Sequence, residues 1–161
     1  MMKQFPLTKF QKLTETATWG LALLTAVVTV VVFPRLPRLV ATHFDAYGIA
    51  NDWGGRWTVL LIPVLLAVCC GLVSLCARLP LRWVNLPFQV NLEREWFVLR
   101  GVRDMLCVLN AEVSLLFAVI QLFVLLQRNL PMGFVWGMVG FICATLLFGL
   151  WRCWKCNQGT L

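Results

Sequence analysis

The sequence predicts an all-α integral membrane protein: a four-helix transmembrane bundle with an outward loop between its first and second spans. Three observations predict it. Hydrophobic residues make up 60% of the 161 positions. Charged residues make up only 13%, against about 25% in an ordinary soluble domain. The apolar positions are also gathered into four runs of roughly the 20 residues that a helix needs to cross a bilayer. Residues 1–161 are read as a single membrane domain.

The first span covers about residues 17–33 and follows Lys3, Lys9 and Lys12. Lysines ahead of an apolar run also mark signal peptides. This run is long for one, however, and Pro34-Arg35-Leu36-Pro37 offers no small-residue cleavage site, so a retained helix is expected. The second span covers about 57–77, with Pro63 in its first two turns, where a kink can form. Pro80 and Pro87 then interrupt helix formation. Asn91 is a good N-cap, and Glu93 and Glu95 suit the positive end of a helix dipole. A helix is therefore expected from about Leu92, running on into a third span at about 104–126. Trp83, Phe88, Trp96 and Phe97 suit a lead-in lying on the membrane surface. The turn Gln127-Arg128-Asn129-Leu130-Pro131-Met132 precedes a fourth span at about 133–151.

Four spans place both termini on one side. That side, with the loop 78–103, carries ten lysines and arginines; the other side carries four, Arg35, Arg38, Arg56 and Arg128. The excess of positive charge predicts cytoplasmic termini and an outward loop at 34–56. The formal charge of +7 is thus assigned to headgroup anchoring, with the lipid bilayer as partner. No arginine–aromatic motif for nucleic acid appears, and no nucleic-acid partner is expected. Of seven cysteines, five lie in apolar runs and act as small hydrophobes. Cys153 and Cys156 form a lone C-x-x-C without the second ligand pair of a zinc site. No disulfide framework and no cofactor are expected.

Gly133, Gly137, Gly140 and Ala144 share one face of the fourth span, and Ala67, Gly71 and Ser74 one face of the second. Small residues let helices approach closely in lipid. The expectation is packing within the chain, with a homo-oligomer as the alternative. Arg103, Asn110, Ser114 and Gln121 form a polar stripe on the third span, expected to face the bundle interior. Glu112 lies on the opposite side of that helix. An intramembrane acid is by default a functional hypothesis; the plainer reading pairs it with an arginine near the cytoplasmic side or leaves it in wet headgroups.

The outward loop holds the only histidine, His43, and the only tyrosine, Tyr47, with Asp45 and Asp52 nearby. Leu36, Leu39, Val40, His43 and Tyr47 fall on one helical face, so a short interfacial helix is expected, ended by a left-handed Gly48. The loop is expected to fold back over the mouth of the bundle. A His43–Asp52 hydrogen bond is the favoured use of the polar cluster. A divalent metal on His43, Asp45 and Asp52 is the weaker alternative. Neither H-E-x-x-H nor G-x-S-x-G occurs, so an enzyme is not expected.

Phe33-Pro34-Arg35-Leu36-Pro37, then Thr42-His43-Phe44-Asp45-Ala46-Tyr47-Gly48, then Asn51-Asp52-Trp53-Gly54-Gly55, stand between two apolar spans. Over about residues 20–70 this pattern resembles the bacterial membrane family called domain of unknown function 1648, which also forms the N-terminal part of SdpI-type immunity proteins. The matching positions are Leu36, Pro37, His43, Phe44, Gly48 and Asp52. The resemblance implies a small inner-membrane protein that binds or senses a ligand at the outer face, or gives immunity to a membrane-active peptide toxin. Its partner would be that peptide or another membrane protein. An oligomeric transporter or channel subunit, with Glu112 and the stripe lining a path, and a metal-dependent membrane enzyme are the rival readings.

Overall fold

A computed structural model describes residues 6–160; Lys3 lies outside the described residues. Among them four helices are long and apolar enough to cross a membrane, so the chain is a multi-pass membrane protein. They are α1 (Lys9–Val32), α2 (Leu61–Cys76), α3 (Glu95–Leu125) and α4 (Met132–Gln158).

α1 begins two turns before the expected start. Thr8 Oγ1 accepts from the Gln11 amide at 3.2 Å while Gln11 Oε1 accepts from the Thr8 amide at 3.1 Å. This reciprocal cap satisfies amides that would otherwise be orphaned. Along α1, Thr18, Thr25 and Thr29 each donate to the carbonyl four residues back. That local bond lets a hydroxyl enter a hydrocarbon-facing helix without an unsatisfied donor. The helix passes after Val32 into a 3-10 turn, Phe33–Arg35, that contains Pro34.

α2 is preceded by a 3-10 turn, Arg56–Leu60, and Pro63 is its third residue. Pro63 brings no amide to the Val59 carbonyl four residues back, which accepts from Gln121 Nε2 instead. After α2, Asn91 Oδ1 accepts from the Glu93 amide at 3.0 Å, as the capping signal predicts. A 3-10 turn at Leu92–Arg94 leads directly into α3.

The segment before α3 is packed more firmly than a surface lead-in. Leu81 is buried with Val98, Leu99, Val102 and Cys153, and Phe88 packs against this cluster. Asn157 of α4 accepts from the Asn91 amide at 2.7 Å and donates to the Gln89 carbonyl at 2.8 Å, tying the segment to the last turn of α4. α4 therefore runs beyond the expected end at Trp151, and Gly159 closes it in the left-handed conformation.

α3 is the central helix. It packs against α1, α2 and α4, whereas α4 packs chiefly against α3. The α3 stripe faces inward as expected. Asn110 Nδ2 donates to the Cys70 carbonyl at 3.2 Å and Ser74 Oγ at 3.3 Å. Ser114 donates to the Thr18 carbonyl, and Gln121 Nε2 donates to Thr29 Oγ1 at 2.9 Å and the Val59 carbonyl at 3.0 Å. Arg103 is buried with them.

The expected small-residue seam of α4 is not where the helices meet, whereas on α2 Ser74 is buried against Asn110 and Gly71 faces Trp19. A side-chain carbon added at Gly133, Gly137 or Gly140 would meet nothing within 4 Å, and Ala144 and Ala67 are exposed. α4 meets α3 through a different face, Thr145, Gly149 and Cys153. A carbon added at Gly149 would lie 2.5 Å from the Met105 thioether, and one at Gly101 3.0 Å from Cys153 Sγ.

Candidate functional site

The region between α1 and α2 is a β-hairpin rather than the expected interfacial helix. β1 (Leu39–Phe44) pairs antiparallel with β2 (Ala50–Gly55), Leu39 opposite Gly55 and His43 opposite Asp52, with irregular register around His43. The residues explain the difference. Val40 and Thr42 are β-branched and favour an extended chain. Asp45 then closes the turn: its Oδ1 accepts from the amides of Tyr47 and Ile49, both at 2.9 Å. Short carboxylates stabilise turns in this way. Gly48 is left-handed, at φ 79°, as expected, but it completes a hairpin turn instead of ending a helix.

The hairpin is held against the bundle at both ends. At its base, Val40 and Leu36 are buried with Val59 of the 3-10 turn and with Val124 and Leu125 of α3. The Arg56 amide donates to the Arg38 carbonyl at 3.0 Å. At its tip, the Leu130 amide donates to the Gly48 carbonyl at 2.9 Å. An added carbon at Gly48 would collide with the Leu130 carbonyl oxygen and the Met132 side chain. The hairpin thus folds back over one end of the bundle, with its tip on the α3–α4 turn. Beside it, the Arg56 guanidinium sits 5.1 Å from the centre of the Phe33 ring, which packs on Trp57 with 4.7 Å between centroids.

The polar residues of the loop separate into two local uses. His43 Nδ1 pairs with Asn51 Oδ1 at 2.6 Å, not with Asp52. Asp52 Oδ1 accepts instead from the Trp53 amide at 2.9 Å. The strands place His43 and Asp52 opposite each other, but Asp52 turns to its own backbone and Asn51 takes the imidazole. Among the described residues no three histidine, cysteine, aspartate or glutamate side chains come together to hold a metal. The trio His43, Asp45 and Asp52 is therefore not assembled, because Asp45 is engaged in the turn. Pro37 lies exposed ahead of β1, and Phe44 is half-buried at its end. On the outer surface Leu39, Tyr47, Ile49 and Trp53 are exposed, Tyr47 at 82%.

Glu112 is buried at the α3–α4 contact, where its Oε1 accepts from Thr145 Oγ1 at 2.6 Å. The partner is thus a hydroxyl of α4, neither an arginine nor a wet headgroup layer, and Oε2 makes no hydrogen bond. Sequence reasoning did not single out Asn51 or the second charged cluster. In that cluster Asp104 accepts from Gln11 Nε2 at 2.7 Å and from Arg152 at 3.3 Å, and Arg78 pairs with Glu15 at 2.9 Å. Asp104 carried the same signal as Glu112, an acid at the edge of an apolar run.

Residues 20–67 match the family model described as domain of unknown function (DUF1648), in agreement with the resemblance carried by the hairpin residues. The match covers α1 from Gly20, the whole hairpin and the first turns of α2, less than a third of the chain. No curated protein and no solved structure matches it.

Proposed function

We propose that this is a non-catalytic inner-membrane protein with cytoplasmic termini, whose hairpin recognises a partner at the outer face. In its sharpest form the activity is immunity to a membrane-active peptide. The observation that carries the reading is a hairpin clamped at both ends that still exposes Leu39, Tyr47, Ile49 and Trp53. A rigid platform of aromatic and aliphatic side chains binds with little ordering cost, and tyrosine and tryptophan are favoured anchors at interfaces. The α3 amides support a non-transporting role, since Asn110 and Gln121 are engaged in helix–helix bonds.

The test is survival of cells exposed to a synthetic amphipathic membrane-active peptide added outside. Cells carrying the protein should tolerate more peptide. Trp53→Ala and Tyr47→Ala should remove that tolerance at unchanged protein level, while Trp136→Ala on α4 should keep it. Equal killing with and without the protein would remove the immunity reading.

A further inference from the structure

A second site lies at the opposite end of the bundle from the hairpin. A groove of about 240 Å³ opens there between α3 and α4, beside the start of α1. Phe10, Met105, Val108 and Phe148 form apolar walls, and Asp104 and Arg152 form a charged end. Both Asp104 oxygens are engaged, one by Gln11 and one by Arg152, and its side chain is only 11% exposed. Asp104 therefore anchors the guanidinium from below. The Arg152 side chain remains 42% exposed. A guanidinium has five N–H donors, so one bond to Asp104 leaves donors for another acceptor.

From this geometry we propose that the groove binds an anionic phospholipid, with its phosphate on Arg152 and part of an acyl chain along Phe10, Val108 and Phe148. The polarity runs the right way. From Arg152 toward Thr145, α4 climbs about 10 Å into the apolar span, as a lipid runs from headgroup to chain. The surrounding charge selects an anion. Among the described residues this end of the bundle carries nine lysines and arginines against four acids. Basic pockets between membrane helices recognise acidic headgroups in this way.

The test uses the full chain in a neutral detergent with equal amounts of phosphatidylglycerol, phosphatidylethanolamine and phosphatidylcholine, read by native mass spectrometry. Phosphatidylglycerol should be preferred by about five-fold over the other two, the factor expected for one basic contact. Arg152→Gln should bring the preference close to one, and Arg152→Lys should retain most of it. Arg56→Gln, at the hairpin end, should change nothing. Because Arg152→Gln also breaks an ion pair, Val108→Trp supplies an arm that leaves every charge in place; filling the groove should lower the amount of lipid bound. Equal binding of the three lipids, an unchanged preference in Arg152→Gln, an equal loss in Arg56→Gln, or full binding by Val108→Trp would each overturn the proposal.

Discussion

His43 and Asn51 form the polar link across the hairpin, and both are solvent-exposed. A hydrogen bond in such a place contributes at the low end of about 0.5–1.5 kcal/mol. His43→Ala and Asn51→Ala should each speed protease nicking of the hairpin about two-fold, with the double variant little worse than either. Asp52→Ala should have a smaller effect, since its carboxylate reaches only the neighbouring amide. Strong protection by added zinc, lost in Asp45→Ala, would contradict the separate uses seen here. Gly48 is more demanding. A β-carbon there meets both an unfavourable left-handed backbone and the Leu130 carbonyl. Gly48→Ala should cost more than the roughly 1 kcal/mol of the backbone effect alone. It should release the hairpin tip, seen as protease access at 45–50 that wild type resists.

At the scale of elements, the helices were legible because apolar length and capping residues are local signals. Asn91 was readable as a cap from its own chemistry, and the α3 stripe from periodicity alone. The glycine seam was not, because spacing defines a face without naming its neighbour. Gly133, Gly137 and Gly140 look outward, and the contact is made by Gly149 against Met105. Gly149→Leu should therefore lower the thermal stability of the detergent-solubilised protein, as overpacking by about 1–3 kcal/mol would. Gly137→Leu should leave the melting temperature nearly unchanged. Equal damage at both positions would mean that the outward face is also covered. The hairpin escapes the sequence pattern for a related reason. Leu36, Leu39, Val40, His43 and Tyr47 fit a helical period, but Asp45 satisfies two turn amides that a helix would leave to the backbone. The His43–Asn51 pair was hidden because it depends on strand register, which composition does not encode.

For the molecule as a whole, the ten-to-four distribution of lysine and arginine predicts that the hairpin lies outside. A cysteine placed at Ala46, with the native cysteines replaced, should react with an impermeant thiol reagent in intact cells. A cysteine at Gln89 should react only after lysis. The reverse pattern would invert the protein and place the hairpin in the cytoplasm, which would sink the outer-face reading. The helices pack around α3, and among the described residues the ion pairs Asp104–Arg152 and Arg78–Glu15 sit near the termini end. Amides and hydroxyls bond between the helices in the interior, where Arg103 and Glu112 are also buried.

The bond from the Leu130 amide to the Gly48 carbonyl has a consequence for biogenesis. The hairpin is synthesised early, between the first two helices, but the turn that seats its tip emerges only after α3. A nascent chain that ends between Leu125 and Leu130 has the residues that pack the hairpin's base but not the one that holds its tip. Arrested chains released at residue 128 should therefore be cleaved near Tyr47, and chains that extend beyond α4 should resist. The residues that match the family model stop at 67, so that module does not contain the rest on which its own hairpin settles. In this chain a turn of six residues after α3 furnishes that seat.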